Sequence, residues 1–412
     1  MEVISVKSLK LFSLALCVIA MSSCDIGEKV NDFIDADTNI GMNAPAVGSI
    51  TSVTNAETVP TTTAEETTTE APVDIIEERA DEIIAGMTAE QRIGQLLLAR
   101  APEDPVGEME KYQLGGFTFY ARDFENSDPE KFKALTEDIS GKAAVHPFYA
   151  VDEEGGSIVR VSKYRQFRDE PFPSPQKTFD RGGTELLAID GKEKADLLLS
   201  VGLNFNLAPV ADISINETSY IYPRTIGEGA DDTADAISMI VHTANENGLA
   251  SCLKHFPGYG ENTDTHKDMA HDDRELYEFY NRDFKAFSAG IEADEDRVPA
   301  VMVGHTIYDS IDPDAPASLS VKIHEILRHK LGFSGVAVTD DLGMDAITKY
   351  VTGDSVYVAA VLAGNDLLCV TDYRTAYDDL MAAYEDGTLT DEEIGTHLHR
   401  IIVMKLQYGI IE

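Results

Sequence analysis

Short apolar runs recur at intervals of a few dozen residues from about position 115 to position 370, and amphipathic stretches of helical period separate most of them. Runs of this length, bounded by polar turn residues, are typical of buried β-strands. Two clear helical stretches are DPEKFKALTEDISGKA (128–143) and DTADAISMIVHTANENG (232–248). The seven candidate strands are GGFTFY (115–120), PFYAVD (147–152), NFNLAPV (204–210), LASCLKHF (249–256), AVMVGH (300–305), GVAVTD (335–340) and DLLCV (366–370).

The alternation of strand and helix predicts an α/β fold in which helices cover both faces of a parallel sheet. Seven candidate strands in a segment of this length favour a closed (β/α)8 TIM-type barrel, although the pattern does not place the eighth strand. An open, doubly wound sheet is the alternative.

Polar residues cluster where the candidate strands end. In a barrel, the carboxyl ends of all strands meet at one rim, and that rim carries the chemistry. For any single acid the alternative is a helix N-cap, which suits Asp341 better than Asp340 because Asp341 is nearer the following helix. The residues concerned are Asp152, Asp212, Lys254, His255, His305, Asp340 and Asp341.

The segment KHFPGYGENTDTH (254–266) is typical of a catalytic loop. Lys254 and His255 end an apolar strand, and two glycines then allow the backbone to turn sharply. Asp264 stands two residues before His266, so its carboxylate can accept the imidazole Nδ1 proton and form a proton-transfer unit. Taken alone, a Lys-His pair is more often a surface feature.

A metal site is a further alternative for this segment. Asp264 and three histidines could supply ligands, but neither an HExxH motif nor paired cysteines support it. We therefore expect no metal and no other cofactor. The histidines are His255, His266 and His271.

Two other segments carry chemistry. VTDDLGM (338–344) places Asp340 directly at a strand end, where a rigid backbone can hold a nucleophile. DEEGGSIVR (152–160) offers Asp152, a glycine turn and Arg160, which suit charge-assisted hydrogen bonds to sugar hydroxyls. Arg224 could contribute another such contact. A structural ion pair is the alternative for each arginine.

The amino-terminal part of the chain predicts export. Basic residues precede an apolar run at 11–20, and Met-Ser-Ser-Cys follows, which resembles the lipobox of bacterial lipoproteins with Cys24 as the lipidated residue. Ordinary cleavage or a retained membrane anchor is the alternative. Residues 1–23 are thus predicted as a signal peptide, 24–73 as a disordered Thr/Ala/Glu-rich linker, and 74–412 as a single catalytic domain. The expected location is the outer side of the bacterial cell membrane, with the lipid as the only membrane contact.

The chain of 412 residues has a formal net charge of −40, which argues against nucleic acid as a partner. A neutral or small partner is expected, and the protein is expected to be a monomer. Cys252 and Cys369 lie in apolar runs and are interpreted as free, buried residues, with a disulfide between them as the alternative.

Taken together, these segments closely resemble glycoside hydrolase family 3, in its β-N-acetylhexosaminidase branch. The resemblance follows the family's order over nearly all of the predicted domain. Its further segments are MTAEQRIGQLL (87–97), YPRTIG (222–227), TIYDSIDPDAPASLS (306–320) and AGNDLLC (363–369).

The resemblance implies a role for each matching residue. Asp340 matches the nucleophile, His266 the general acid/base, and Asp264 the partner that orients His266. The implied activity is retaining exo-hydrolysis of terminal β-linked N-acetylglucosamine through a covalent glycosyl-Asp340 intermediate, from an oligosaccharide or a cell-wall fragment, without a cofactor. The positions matching the sugar-binding residues are Asp152, Arg160, Arg224, Lys254 and His255.

The chain departs from the family pattern near the catalytic loop. Tyr259 replaces a histidine, the segment between Gly260 and Asp264 is one residue shorter, and residues 267–269 differ from the usual continuation. Other interpretations are a family relative that acts as a β-glucosidase, a β-xylosidase or a glycoside phosphorylase, and an inactive carbohydrate-binding protein of the cell surface.

Overall fold

Eight short strands, nearly all of their residues buried, line the centre of the molecule. The computed structural model describes residues 75–260, 270–344, 347, 350 and 355–412. Because helices cover the outer face of the sheet and side chains fill its interior, apolar residues occupy both faces of each strand. The eight strands are β1 (Leu97–Arg100), β2 (Gly116–Phe119), β3 (Phe148–Val151), β4 (Phe205–Asn206), β5 (Ala250–Phe256), β7 (Ala300–Val303), β10 (Ala337–Thr339) and β11 (Leu368–Val370).

These strands form one parallel sheet in the order β10-β7-β5-β4-β3-β2-β1-β11. The two ends of this order, β10 and β11, also meet and close the barrel. Val338 of β10 forms a parallel bridge with Leu367, which precedes β11, and the Thr339 N–H donates to the Leu367 carbonyl at 3.0 Å. The (β/α)8 barrel is therefore confirmed, and the open, doubly wound alternative is wrong.

Helices follow most of the strands and pack on the outside of the barrel. Many begin at a side-chain cap: Thr390, for example, accepts a hydrogen bond from the Glu393 N–H, and the Glu393 carboxylate accepts one from the Thr390 N–H. The helices are α1 (Ile75–Ala85), α2 (Ala89–Gln95), α3 (Pro105–Tyr112), α4 (Ala121–Glu125), α5 (Pro129–Ser140), α6 (Pro175–Ser200), α7 (Ala230–Glu246), α8 (Leu276–Asn281), α9 (Asp283–Ile291), α10 (Val321–Glu325), α11 (Val356–Ala363), α12 (Tyr373–Glu385) and α13 (Asp391–Gln407).

A small second sheet lies beside the mouth of the barrel. It consists of β6 (His271–Asp272), β8 (Ile307–Tyr308) and β9 (Asp312–Pro316), in the order β6-β8-β9. Strand β6 follows shortly after the undescribed segment 261–269, and β8 follows β7, so this sheet links two loops at the carboxyl rim.

Each of the seven predicted strands contains an observed strand, and the unplaced eighth is β1, Leu97–Arg100. The run 204–210 is a strand only at Phe205–Asn206, because Pro209 has no N–H to donate to a ladder. Cys252 and Cys369 are buried and free, as predicted.

None of the described helices is long and apolar enough to cross a membrane. The predicted signal peptide, Cys24 and the linker up to residue 73 lie outside the described residues.

Candidate active site

The polar residues singled out at strand ends lie together at the carboxyl rim of the barrel. Asp152 follows β3, Lys254 and His255 belong to the last residues of β5, and Asp340 follows β10. The segment after β4 reaches the same rim, since Val210 bridges Lys254 in parallel and the Ala211 N–H donates to the Lys254 carbonyl at 2.7 Å. The rim is therefore the candidate active site.

A buried ion network forms one side of the site. The Lys254 ammonium donates to Asp152 Oδ1 at 2.7 Å and lies 2.7 Å from Glu154 Oε1. Arg224 donates to both carboxylate oxygens of Glu154, at 2.9 and 2.8 Å. Burial would raise the pKa of Glu154, but the charges of Lys254 and Arg224 outweigh it, and the pKa lies well below its usual value.

The same network keeps Lys254 charged. Burial by itself would lower the pKa of Lys254, whereas the facing carboxylates of Asp152 and Glu154 raise it above the usual value. Each hydrogen-bonding group thus has a fixed charge and direction before a ligand arrives, which suits the recognition of sugar hydroxyls.

Asp212 holds His255 and the start of the loop that follows β5. Its fully buried carboxylate accepts hydrogen bonds from the His255 backbone N–H at 3.1 Å and from the Tyr259 N–H at 2.7 Å, and His255 Nδ1 lies 2.7 Å from Oδ2. Arg224 Nη2 lies 3.4 Å from His255 Nε2. Since Asp212 can only accept and Arg224 can only donate, these partners favour the imidazole with its proton on Nδ1.

The loop after β3 is built around Glu153. This fully buried carboxylate accepts from the backbone N–H groups of Arg160 and Val161, both at 2.8 Å, and from the Ser162 hydroxyl. Glu153 therefore fixes the backbone that presents Arg160, whose guanidinium lies 3.7 Å from Asp152. The predicted sugar contacts Asp152 and Arg160 lie on one loop.

Asp340 and Asp341 differ in their contacts. Asp341 accepts from the N–H groups of Gly343 at 2.8 Å and Thr371 at 3.1 Å, and from the Thr371 hydroxyl at 2.6 Å, so it stabilises the turn after β10. The Asp340 backbone N–H donates to the Val303 carbonyl at 3.0 Å, which extends the β10–β7 ladder by one residue and ties Asp340 to the barrel. Its side chain is partly exposed at the rim.

Two buried thiols, Cys252 and Cys369, lie in strands that carry the site. Burial raises the pKa of the Cys252 thiol to about 12, and charges on Lys254, Asp152 and Asp340 also act on it. The Cys369 thiol, likewise raised by burial, feels both Asp340 and Asp152. Geometry links the two carboxylates: Lys254 of β5 contacts Asp152, β5 pairs with β7, and β7 pairs with β10, which Asp340 follows, so both carboxylates belong to one rim.

His305 supports the strand end that carries Asp340. Its Nε2 lies 3.1 Å from the Asp341 carbonyl, and its Nδ1 lies 2.8 Å from the Ser318 hydroxyl. Burial lowers its pKa, so this neutral ring donates to a carbonyl and accepts from a hydroxyl. His305 is a structural part of the rim.

Asp264 and His266 lie within 261–269, outside the described residues. The described start of that loop is firmly held: the Gly258 carbonyl accepts from Tyr308 Oη and from Arg274 Nη2, both at 3.0 Å. Gly258 has a φ of 131°, and a side chain there would meet Asp283 at 2.3 Å. Glycine is therefore required at this turn.

His271, one of the three histidines in the metal alternative, lies 3.0 Å from Asp309 on an exposed surface. Within the described parts of the chain, no group of three or more His, Cys, Asp or Glu side chains could hold a metal ion.

Three buried carboxylates hold the other site residues in place, a role that the sequence analysis did not predict. They are Glu153, Glu154 and Asp212. Two of them stand beside Asp152 in the acidic run DEEGG, which could have indicated a buried cluster. The partners lie far apart in sequence, 70 residues between Glu154 and Arg224 and 43 between Asp212 and His255, so spacing does not reveal the pairs.

A barrel with a buried ion network and a strand-end carboxylate at its carboxyl rim suits a glycoside hydrolase, and comparison with known proteins gives this class. Residues 88–404 match the model of the glycosyl hydrolase family 3 N terminal domain. The chain belongs to glycoside hydrolase family 3.

Individual relatives share much of the chain. A protein named Beta-hexosaminidase from Hydrogenovibrio crunogenus is 32% identical over 67% of this chain and 78% of its own length. The structure of a family 3 beta-N-acetylglucosaminidase from a Paenibacillus species is 28% identical, with a TM-score of 0.72 over 79% of this chain and 63% of that one. A beta-glucoside phosphorylase, BglX, shares the fold at 20% identity, with a TM-score of 0.72 over 82% of this chain and 62% of that one.

Proposed function

We propose that this protein is a retaining exo-β-N-acetylhexosaminidase that hydrolyses terminal β-linked N-acetylglucosamine. The observation that carries the proposal is the joint placement of Asp340 and the network of Asp152, Lys254 and Arg224 over one barrel mouth. Relatives named Beta-hexosaminidase and beta-N-acetylglucosaminidase support the choice of an N-acetylglucosamine substrate.

The non-reducing sugar would bind against the ion network. Asp152 and Arg160 are only partly buried, so they can exchange water for sugar hydroxyls, while Lys254 and His255 are buried behind them. Their partners hold each donor and acceptor in place, so little ordering accompanies binding. The fixed geometry favours one orientation of the anomeric carbon.

Asp340 would act as the nucleophile. One of its carboxylate oxygens attacks the anomeric carbon as the glycosidic C–O bond breaks, and His266 donates a proton to the departing oxygen. In the second step His266 takes a proton from water, the water oxygen attacks the anomeric carbon, and the ester bond to Asp340 breaks. The roles of His266 and Asp264 rest on the resemblance of the loop motif.

A panel of aryl glycosides tests the substrate assignment. We expect the full-length protein to release the aryl group from the β-N-acetylglucosaminide much faster than from the β-glucoside or β-xyloside, with no requirement for phosphate. Asp340→Asn should lower turnover by roughly three orders of magnitude or more while the protein stays folded. Asp378→Asn, an exposed acid on α12, is the matched control. A faster reaction on the glucoside, or a product bearing phosphate, would favour the corresponding relative.

We further propose that Cys24 carries the lipid that holds the protein on the outer side of the cell membrane, with cell-wall fragments or other amino-sugar oligomers as substrates. The lipobox-like sequence supports this proposal. Labelling with a radioactive or alkyne fatty acid should mark the wild-type protein, and Cys24→Ser should lose the label and leave the membrane fraction. Retention of the label would contradict it.

A further inference from the structure

Arg274 joins the two described ends of the loop that follows β5 (257–270). Its guanidinium Nη2 donates to the Gly258 carbonyl at 3.0 Å and to Asp272 Oδ2 at 2.7 Å, and its Nη1 donates to Asp283 Oδ2 at 2.8 Å. Gly258 is the second residue after β5, whereas Asp272 ends β6. One side chain thus ties its own segment to a carbonyl 16 residues earlier in the chain.

The contacts of Arg274 leave these ends little freedom. The Asp272 side chain is 4% exposed, Asp283 is fully buried, and the guanidinium carbon lies 4.3 Å from the centre of the Phe279 ring. The N–H donors of a planar guanidinium have fixed directions, so one arginine can hold three partners at once. Gly260 packs closely on this group, because a side chain there would meet Asp272 Oδ2 at 2.7 Å and Arg274 Nη2 at 2.8 Å.

Tyr308 adds a second contact to the same carbonyl. Its hydroxyl donates to the Gly258 carbonyl at 3.0 Å, and Tyr308 belongs to β8, which pairs with β6. Asp212 holds the start of the loop as well, since it accepts from the Tyr259 N–H at 2.7 Å and from the His255 N–H at 3.1 Å. Both ends of the loop are therefore fixed to the small sheet and to the rim of the barrel.

Residues 261–269 connect these two ends and lie outside the described residues. In the proposed reaction His266, which is in this segment, donates a proton to the departing oxygen. A general acid acts only within hydrogen-bonding distance, and a displacement of about 1 Å can cost about a hundredfold in rate. The places where the segment begins and ends therefore affect the alignment of the proton transfer.

We infer that Arg274 is a positioning residue that, by fixing both ends of the segment containing His266, aligns the acid catalysis without touching the substrate. The inference rests on the proposed glycosidase function and on the role proposed there for His266. The donors of Arg274 are used by Gly258, Asp272 and Asp283. Replacing Arg274 should therefore impair proton donation and leave sugar binding and nucleophilic attack nearly intact.

The test compares two aryl β-N-acetylglucosaminides that differ only in their leaving group, on the full-length protein. The 4-methoxyphenyl glycoside has a basic leaving oxygen that needs a proton, whereas the 2,4-dinitrophenyl glycoside releases a stable anion without one. Arg274→Lys keeps the charge but cannot hold three partners in fixed directions, so kcat/KM for the 4-methoxyphenyl glycoside should fall about tenfold or more. The kcat/KM for the dinitrophenyl glycoside should stay within about threefold of the wild type.

Arg328→Lys is the matched control. Arg328 is likewise a largely buried arginine that donates to a carboxylate, that of Asp366 at 2.5 Å, and to a backbone carbonyl, that of Gly335 at 2.6 Å. Gly335 precedes β10, so Arg328 lies at the amino-terminal end of the barrel. A general loss of stability would affect both arginine variants, but Arg328→Lys should keep the wild-type ratio of the two kcat/KM values.

Tyr308→Phe is a milder second variant, which removes one hydrogen bond to the Gly258 carbonyl and keeps the ring. It should change the ratio of the two kcat/KM values in the same direction as Arg274→Lys, by about threefold. A loss confined to the 4-methoxyphenyl glycoside would support the inference. Equal effects on both glycosides in these two variants, including no effect, would overturn it.

Hydrogen–deuterium exchange separates this inference from the proposed function. Peptides covering 256–260 should exchange at least about threefold faster in Arg274→Lys than in the wild type, because their hydrogen-bonded anchor is weakened. If the wild type cleaves no aryl glycoside but this difference remains, the proposed function fails, whereas the fixing of the loop ends by Arg274 stands. Unchanged exchange would show that Arg274 does not fix the loop and would overturn the inference.

Discussion

Two fully buried lysines at opposite ends of the barrel have opposite electrostatic surroundings. Lys254, at the carboxyl rim, faces the carboxylates of Asp152 and Glu154, and its pKa is raised. Lys405, near the amino-terminal ends of β1 and β2, donates to Gln95 Oε1 at 2.7 Å and to the Gly115 carbonyl at 3.1 Å. Burial lowers the pKa of Lys405 to about 7.

The difference shows that burial alone does not decide the charge of a group. At the rim, two carboxylates compensate the lost hydration of Lys254, and the charge remains available for a ligand. At the opposite end, neutral oxygens satisfy the Lys405 hydrogen bonds but do not compensate its charge, so the proton is held weakly. The rim thus maintains fixed charges for recognition, whereas Lys405 fills space at the closed end of the barrel.

Replacing Lys254 should have the largest effect, on both stability and activity. Lys254→Met leaves Asp152 and Glu154 facing each other without the shared cation, and we expect a loss of about 3–5 kcal/mol in the free energy of unfolding. Activity on the aryl N-acetylglucosaminide should fall at least about tenfold at a temperature where the variant is folded. Denaturant titration and steady-state kinetics measure both quantities. Normal activity would show that Lys254 is only structural.

The amino-terminal end has its own ion network, and breaking it should affect stability alone. The buried Asp366 carboxylate lies 2.5 Å from Arg328, 2.8 Å from His397 and 2.8 Å from Arg400. Asp366→Asn removes the charge that Arg328 and Arg400 share, so we expect a loss of about 3–5 kcal/mol in the free energy of unfolding.

The kcat and KM of folded Asp366→Asn should be close to those of the wild type, because the network lies far from the rim. Asp378→Asn, on the exposed face of α12, is the stability control. A specific change in KM would contradict the division of roles between the two ends.

The smallest effect concerns Lys405 and depends on pH. Its pKa is about 7 in the folded state and about 10.4 in the unfolded chain, so between these values the unfolded chain binds more protons. The stability contributed by this site therefore rises as the pH increases from 7 to 10.

The Lys405→Met variant lacks this titration. The difference in unfolding free energy between wild type and Lys405→Met should thus shift in favour of the wild type from pH 7 to pH 10, and denaturant titrations at each pH measure it. The difference in unfolding free energy between wild type and Lys254→Met should stay constant from pH 7 to pH 10, because the raised pKa of Lys254 keeps it protonated over this range. If the difference in unfolding free energy between wild type and Lys405→Met did not change with pH, Lys405 would be charged in the folded protein.

Seven of the eight barrel strands can be predicted from the apolar runs in the sequence. The eighth, β1, was missed for a physical reason. Strand β1, Leu97–Arg100, begins two residues after α2 ends at Gln95, so no turn residues separate its apolar residues from the end of that helix. Only pairing with β2 and β11 makes the segment a strand.

The candidate site was predictable where chemistry is local and not where it depends on distant partners. Asp340, Lys254 and His255 follow from their positions at strand ends. The roles of Glu154 and Asp212 depend on side chains brought together by the closed sheet, and buried pairs of this kind have no fixed spacing in sequence.

Trapping the covalent intermediate tests the central claim most directly. A 5-fluoro derivative of an activated β-N-acetylglucosaminide slows both steps, because fluorine destabilises the oxocarbenium-like transition state, and the good leaving group lets the first step proceed. Intact-protein mass spectrometry should show one added sugar, and peptide mapping should place it on Asp340. A sugar on any other residue would contradict the account.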